Sequence, residues 1–160
     1  MNDQLHQINI AYIGMEDRLL MRATTKNGDE YKVWFTRKYT SLLVDILNKH
    51  IHERGGLTTL GSKPQTTKML KGGALEKPFK SNVKNYPLGE EGILGFGIKV
   101  NVSKDKVLNL QLSPEKGQGI TLNLGDSLLY MFHNLLSQGI ARADWNFKQD
   151  QDSAASEHIH

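Results

Sequence analysis

The 160-residue chain has no cysteine. That absence removes disulfides, thiolate metal sites and cysteine nucleophiles at once, and it fits a reducing compartment, with the cytoplasm as the expected location. Long apolar runs are missing as well. Nowhere do as many as about 18 uncharged apolar residues follow one another, and the N-terminal MNDQLHQINI lacks the basic start and apolar core of an export signal, so no membrane partner is expected. A large excess of charge of either sign is missing too: 20 Lys and Arg against 17 Asp and Glu leave a formal net charge of only +3. Where the charge sits therefore matters more than its sum. The length suits one compact body and is too short for two large independent domains.

What is present is a repeated pattern. A shift of 89 residues lays Leu19, Met21 and Ala23 on Leu108, Leu110 and Leu112, and Tyr31, Val33 and Phe35 on Ile120, Leu122 and Leu124. Leu42, Leu43, Ile46, Leu47 and Ile51 fall on Met131, Phe132, Leu135, Leu136 and Ile140 under the same shift. The apolar period changes from two to between three and four after Phe35 and after Leu124, as when a hairpin hands over to an amphipathic helix. One more alternating stretch lies upstream in each half, at Ile8, Ile10 and Tyr12 and at Phe96, Ile98, Val100 and Val102. The pattern predicts an α+β fold of two pseudo-repeated β-β-β-α units, residues 1–54 and 93–147, packed as one body with antiparallel sheets and one helix each.

Lys26-Asn27-Gly28 and Glu115-Lys116-Gly117 each end in a glycine suited to a three-residue hairpin loop. That register pairs Ala23 with Tyr31, Met21 with Val33 and Leu19 with Phe35 on a face that the unit's own helix would cover. It places Leu20 opposite Trp34, Arg22 opposite Lys32 and Arg18 opposite Thr36 on the other face. The matching outer pairs in the second unit are Gln111 with Thr121 and Asn109 with Asn123, so one outer face is basic and aromatic while its twin is neutral. The first helix should start near Thr36 to Thr40 and stop before Gly55-Gly56; the second should be capped by Asp126 and run to about Ala143. Gly139 within it marks either an early end or a close packing contact.

Between the units, residues 55–92 hold three of the four prolines and no sustained period, which reads as a basic Gly/Lys-rich linker or mobile loop. From Arg54 to Lys84, seven cations face Glu76 alone, a net +6. Residues 148–160 are polar and slightly acidic and read as a disordered tail.

The runs GMEDRLLMRATTKNGDEYKVWFTRKYTSLL and ITLNLGDSLLYMFHNLLSQGIARADW resemble a family of bacterial proteins of similar length and unknown function. That resemblance implies a bacterial or phage origin. At the level of fold, two tandem sheet-then-helix units resemble the PUR-repeat and whirly-type architectures, whose members bind single-stranded nucleic acid. Those folds usually carry four strands per unit, against three counted here.

Gly56 to Lys63 imitates a phosphate-binding loop, but serine precedes lysine where the motif needs the reverse order, and Gly95-Phe96-Gly97 is a lone GxG inside a strand pattern. His50 and His52, like His158 and His160, are spaced two apart with no acidic or cysteine partner to complete a metal shell. His133 has no nameable nucleophile or carboxylate to serve as a base, and Glu16-Asp17 reads as a strand-to-strand turn. No enzyme activity, cofactor or metal is expected.

The expected function is binding. Trp34 offers a surface for base stacking, and Arg18, Arg22 and Lys32 beside it offer cations for phosphates, with Lys63, Lys68 and Lys71 of the linker as further contacts to single-stranded DNA or RNA. The alternative is a protein-interaction or homo-oligomeric assembly module in which Trp34 and the outer sheets form an interface.

Overall fold

A computed structural model describes residues 5–72 and 83–147. The fold is α+β, with two sheets of four and three strands and four helices among these residues. Strands β1 (Leu5–Ile13), β2 (Arg18–Thr25) and β3 (Glu30–Phe35) form an antiparallel meander that runs into helix α1 (Arg37–Glu53). Two short helices follow, α2 (Leu57–Gly61) and α3 (Pro64–Lys71). The two-residue β4 (Ile93–Leu94) then pairs parallel to β3. A second antiparallel meander, β5 (Gly97–Val102), β6 (Leu108–Ser113) and β7 (Ile120–Leu124), ends in α4 (Asp126–Ala143). None of the described helices is long and apolar enough to cross a membrane.

Both hairpin registers agree with the alternation. Leu19 pairs with Phe35, Met21 with Val33 and Ala23 with Tyr31, while Leu20 faces Trp34 and Arg22 faces Lys32. Asn109 pairs with Asn123 and Gln111 with Thr121. Thr25 donates its N–H to the Asp29 carbonyl at 2.9 Å, closing the loop at Gly28. The even-period rows Leu19, Met21, Val33, Phe35, Leu108, Leu110, Leu122 and Leu124 are all fully buried. Because side chains alternate along a strand, a slip of one residue would have turned each row to solvent.

Helix α1 begins where Thr36, in extended conformation, accepts the Tyr39 N–H on its side chain, and it buries Tyr39, Leu43, Leu47 and Ile51 along one stripe. Helix α4 has Gly125 at its N-cap without a side-chain cap, so Asp126 is not the cap that the sequence suggests; it sits one residue inside and serves an ion pair. Residues 55–92 are also not one loop, since α2 and α3 occupy 57–71. Their apolar content was too sparse for a period to register: α2 buries Leu60, and α3 buries Thr66, whose hydroxyl donates to Ser127 at 3.0 Å.

The largest departure concerns which helix covers which sheet. Each helix was expected over its own hairpin, yet α4 lies across β1 and β2. Gly139 resolves its two readings in favour of close packing: a Cβ there would meet Ile10 Cγ2 at 3.2 Å and the two Leu19 methyls at 3.3 Å. The helix continues past it and ends at Asp144 in a left-handed conformation, after which Trp145 folds back edge-on to Tyr12.

Gly139→Val should therefore destabilise the protein by about 2 kcal/mol through overpacking, despite the helix-propensity gain over glycine. Urea unfolding measures this, and a variant as stable as the parent would show that α4 does not need this close approach.

Candidate functional site

The outer face of the first sheet is built by β2 and β3 and by the segment that follows residue 83. Arg18, Leu20, Lys32 and Trp34 line an open cleft together with Glu16, Glu90, Glu91 and Gly92, with a volume of about 540 Å³. Four predicted residues, Arg18, Arg22, Lys32 and Trp34, thus do share one face. Their polar groups are already engaged. Glu30, fully buried, accepts from Arg22 Nη2 at 2.8 Å and has Lys32 Nζ at 3.8 Å from its second oxygen. Lys32 Nζ donates to the Glu90 carbonyl at 2.9 Å and sits over the Tyr86 ring, 5.2 Å from its centre. Trp34 Nε1 donates to the Glu91 carbonyl at 2.9 Å, and Arg18 lies 3.6 Å from Glu16.

The chain can pass this close because residue 92 is glycine. A Cβ at Gly92 would stand 2.4 Å from the Lys32 carbonyl oxygen. The segment is also pinned at its ends, where Glu30 N–H donates to the Asn85 carbonyl at 3.0 Å and Gly95 N–H to the Trp34 carbonyl at 2.8 Å. Two cations and three carboxylates line the cleft, so its field does not favour a polyanion. Sequence reasoning missed this because it gave Glu30 no role and read residues 86–92 as part of the linker or mobile loop.

The linker lysines go elsewhere. Lys63 makes a short contact with Asp126, which also accepts from Arg54 Nη1 at 2.8 Å. These groups border a cavity of about 260 Å³ with His50, Glu53, Val102 and Lys106. Partial burial would raise the Asp126 carboxyl, but hydrogen bonds and charge from Lys63 and Arg54 together hold it below the usual aspartate value. Lys68 and Lys71 are exposed in the last turn of α3, where cations suit the helix dipole. Since α3 packs on α4 and α4 on the inner face of β1 and β2, the first sheet stands between these lysines and Trp34. His133 is half-buried, its imidazole pushed below the ordinary value by burial and its Nδ1 without a hydrogen-bond partner, which favours the neutral ring.

A different surface stands open. Of nine exposed large hydrophobic residues among those described, four fall between 94 and 102: Leu94, Phe96, Val100 and Val102. The chain changes sheets here, because Gly95 donates to Trp34 and Phe96 to the Ser113 carbonyl at 2.8 Å. It then runs as β5, the edge strand of the second sheet, anchored at its start by the Tyr39 hydroxyl donating to the Gly97 carbonyl at 2.9 Å. Burial raises that phenol, keeping it a donor. Val100 and Val102 belong to the apolar face, opposite Leu110 and Leu108, but are 40% and 45% exposed. The alternation of Phe96, Ile98, Val100 and Val102 marked a strand, but nothing local said that it would be an edge.

Three variants test these networks. Arg22→Ala leaves buried Glu30 with Lys32 alone and should cost about 3 kcal/mol in urea unfolding, whereas Arg22→Met with Glu30→Leu, which removes both charges, should cost less. A single variant as stable as the parent would show that Glu30 does not depend on Arg22. Asp126→Asn should lower the melting temperature at neutral pH. Because the folded-state carboxyl titrates below its unfolded value, its contribution is present above that value and fades as pH falls through the folded one. The gap between parent and variant should thus narrow as pH falls below the ordinary aspartate range, and a pH-independent gap would contradict the ion-pair role.

The chain matches no family model, no curated protein and no solved structure, and what it does has to be read from its own residues.

Proposed function

We propose that the protein is a non-enzymatic assembly module that docks an extended protein segment along the open edge of β5. The observation that carries this reading is the combination at one strand of exposed apolar side chains and a free backbone edge. Ser103 donates to the Val107 carbonyl at 3.0 Å, so the alternation of an antiparallel ladder turns the N–H and C=O groups of Lys99 and Asn101 toward β6. Those of Ile98, Val100 and Val102 point away, and among the described residues no strand pairs with them. An unpaired edge with an apolar row is a template for strand addition. The shared element order and hairpin register of residues 19–51 and 108–140 support reading the chain as a pseudo-repeat in which β1 and β5 are the corresponding edge strands, and of these only β5 carries exposed large hydrophobic residues among those described.

The other reading, single-stranded nucleic acid held by Arg18, Arg22, Lys32 and Trp34 with Lys63, Lys68 and Lys71, draws support from the half-buried indole. The carboxylates around that indole and the separation of the lysines weigh against it.

Fluorescence anisotropy distinguishes the two. A labelled synthetic peptide with the sequence of residues 95–104 should bind with little salt dependence and be lost in Val100→Pro, which deletes an edge N–H that β6 does not use. Labelled oligonucleotides should show no salt-sensitive binding; salt-sensitive binding abolished by Trp34→Ala would overturn the assembly reading in favour of the nucleic-acid one.

A further inference from the structure

We infer that the segment received by this edge is the β5 strand of a second copy, joined antiparallel about a two-fold axis at Val100. The inference rests on the docking reading above and adds the identity of the partner. Its basis is that β5 is complementary to itself in one register.

An axis at Val100 pairs Val100 with the partner's Val100 and Ile98 with the partner's Val102. These are the residues whose backbone groups point outward, so each pair can exchange two hydrogen bonds with no rearrangement of the β5 and β6 ladder. The close approach of the Leu112 carbonyl to Gly119, on the β7 side, independently fixes which backbone groups in β6 face β7 and which face β5. Paired residues lie on the same side of a continuous sheet, so the apolar row of one copy extends that of the other. Charge also agrees: Lys99 falls opposite Asn101 and Lys104 opposite Phe96, so no cation directly faces a cation. The symmetric contact closes on itself and consumes both edges, forming a dimer and not a filament.

The partial exposure of Val100 and Val102 follows from this arrangement. In one chain they overhang the core; across the axis they would cover each other. In the first sheet the segment after residue 83 and β4 lie along the β3 edge, and the other edge strand, β1, presents no exposed large hydrophobic residue to match Val100 and Val102.

Analytical ultracentrifugation over a concentration series, with the full chain, reads the association. The parent should form a dimer. Val100→Pro should weaken association by about 100-fold, through lost ladder bonds at both positions. Val100→Lys, which keeps the backbone intact but sets two cations against each other at the axis, should also yield a folded monomer whose melting no longer depends on protein concentration. Because the chain has no cysteine, a single introduced thiol reports the register. Val100→Cys should crosslink on mild oxidation, since the paired Cα atoms lie about 5.5 Å apart. Val102→Cys should not, because the two copies of that residue stand about 13 Å apart. Met15→Cys, in the β1 to β2 turn, should form no disulfide crosslink under the same oxidation.

A parent that is monomeric throughout, a dimer that survives both Val100 variants, or Val102→Cys crosslinking in preference to Val100→Cys would each overturn the self-pairing. Binding of the residue 95–104 peptide to a monomeric parent would leave the docking surface standing without self-pairing of the full chain. Absence of both would remove the docking reading itself.

Discussion

The packing of α4 on β1 and β2 is the contact on which the rest of the structure depends. It carries the last helix of the chain onto the first sheet and so places side chains from both halves in one core. Leu129, Phe132, Leu136 and Gly139 form its buried stripe, while Leu19 and Met21 rise from the sheet below. A bare three-stranded meander leaves one apolar face without a cover, and α4 supplies that cover for β1 and β2. The crossing explains why a residue unfavourable in a helix occupies position 139: backbone approach outweighs the local propensity. It also sets the location of α3, which rests on α4 and so ends up on the helical side of the sheet.

A second constraint acts on the opposite face. A carboxylate cannot be held dry without cations, and Glu30, wholly buried, draws Arg22 and Lys32 toward itself. The segment after residue 83 completes the arrangement, its Glu90 and Glu91 carbonyls taking the remaining donors of Lys32 and Trp34. A face that looks basic residue by residue thereby becomes an internally balanced network. Its contribution is to fasten the connection between the halves along the β3 edge.

That fastening leaves the two sheets unequal. The β3 edge of the first is covered by chain already in place, and the chain then leaves it at Gly95 to enter the second sheet as β5. Having just arrived, β5 has β6 on one side and no described strand on the other. The exposed valines are thus a consequence of the route taken by the backbone.

Local sequence determined the two hairpins, the helices that follow them and the strand registers, but not α2, α3 or β4. The period-two rows, the glycine-closed turns and the period change after Phe35 and Leu124 depend only on neighbours, and burial on one face allows a single register. The gathering of Arg18, Arg22, Lys32 and Trp34 on one face followed from that register and was legible too. Tertiary structure decided three things: that α4 covers the first sheet, that Asp126 binds Arg54 and Lys63 instead of capping its helix, and that β5 is an edge. Each joins residues far apart in the chain, and Glu30 shows why this matters. Its partners Arg22 and Lys32 are near in sequence, but its burial, which turns two surface cations into a structural pair, arises only when the fold closes over it.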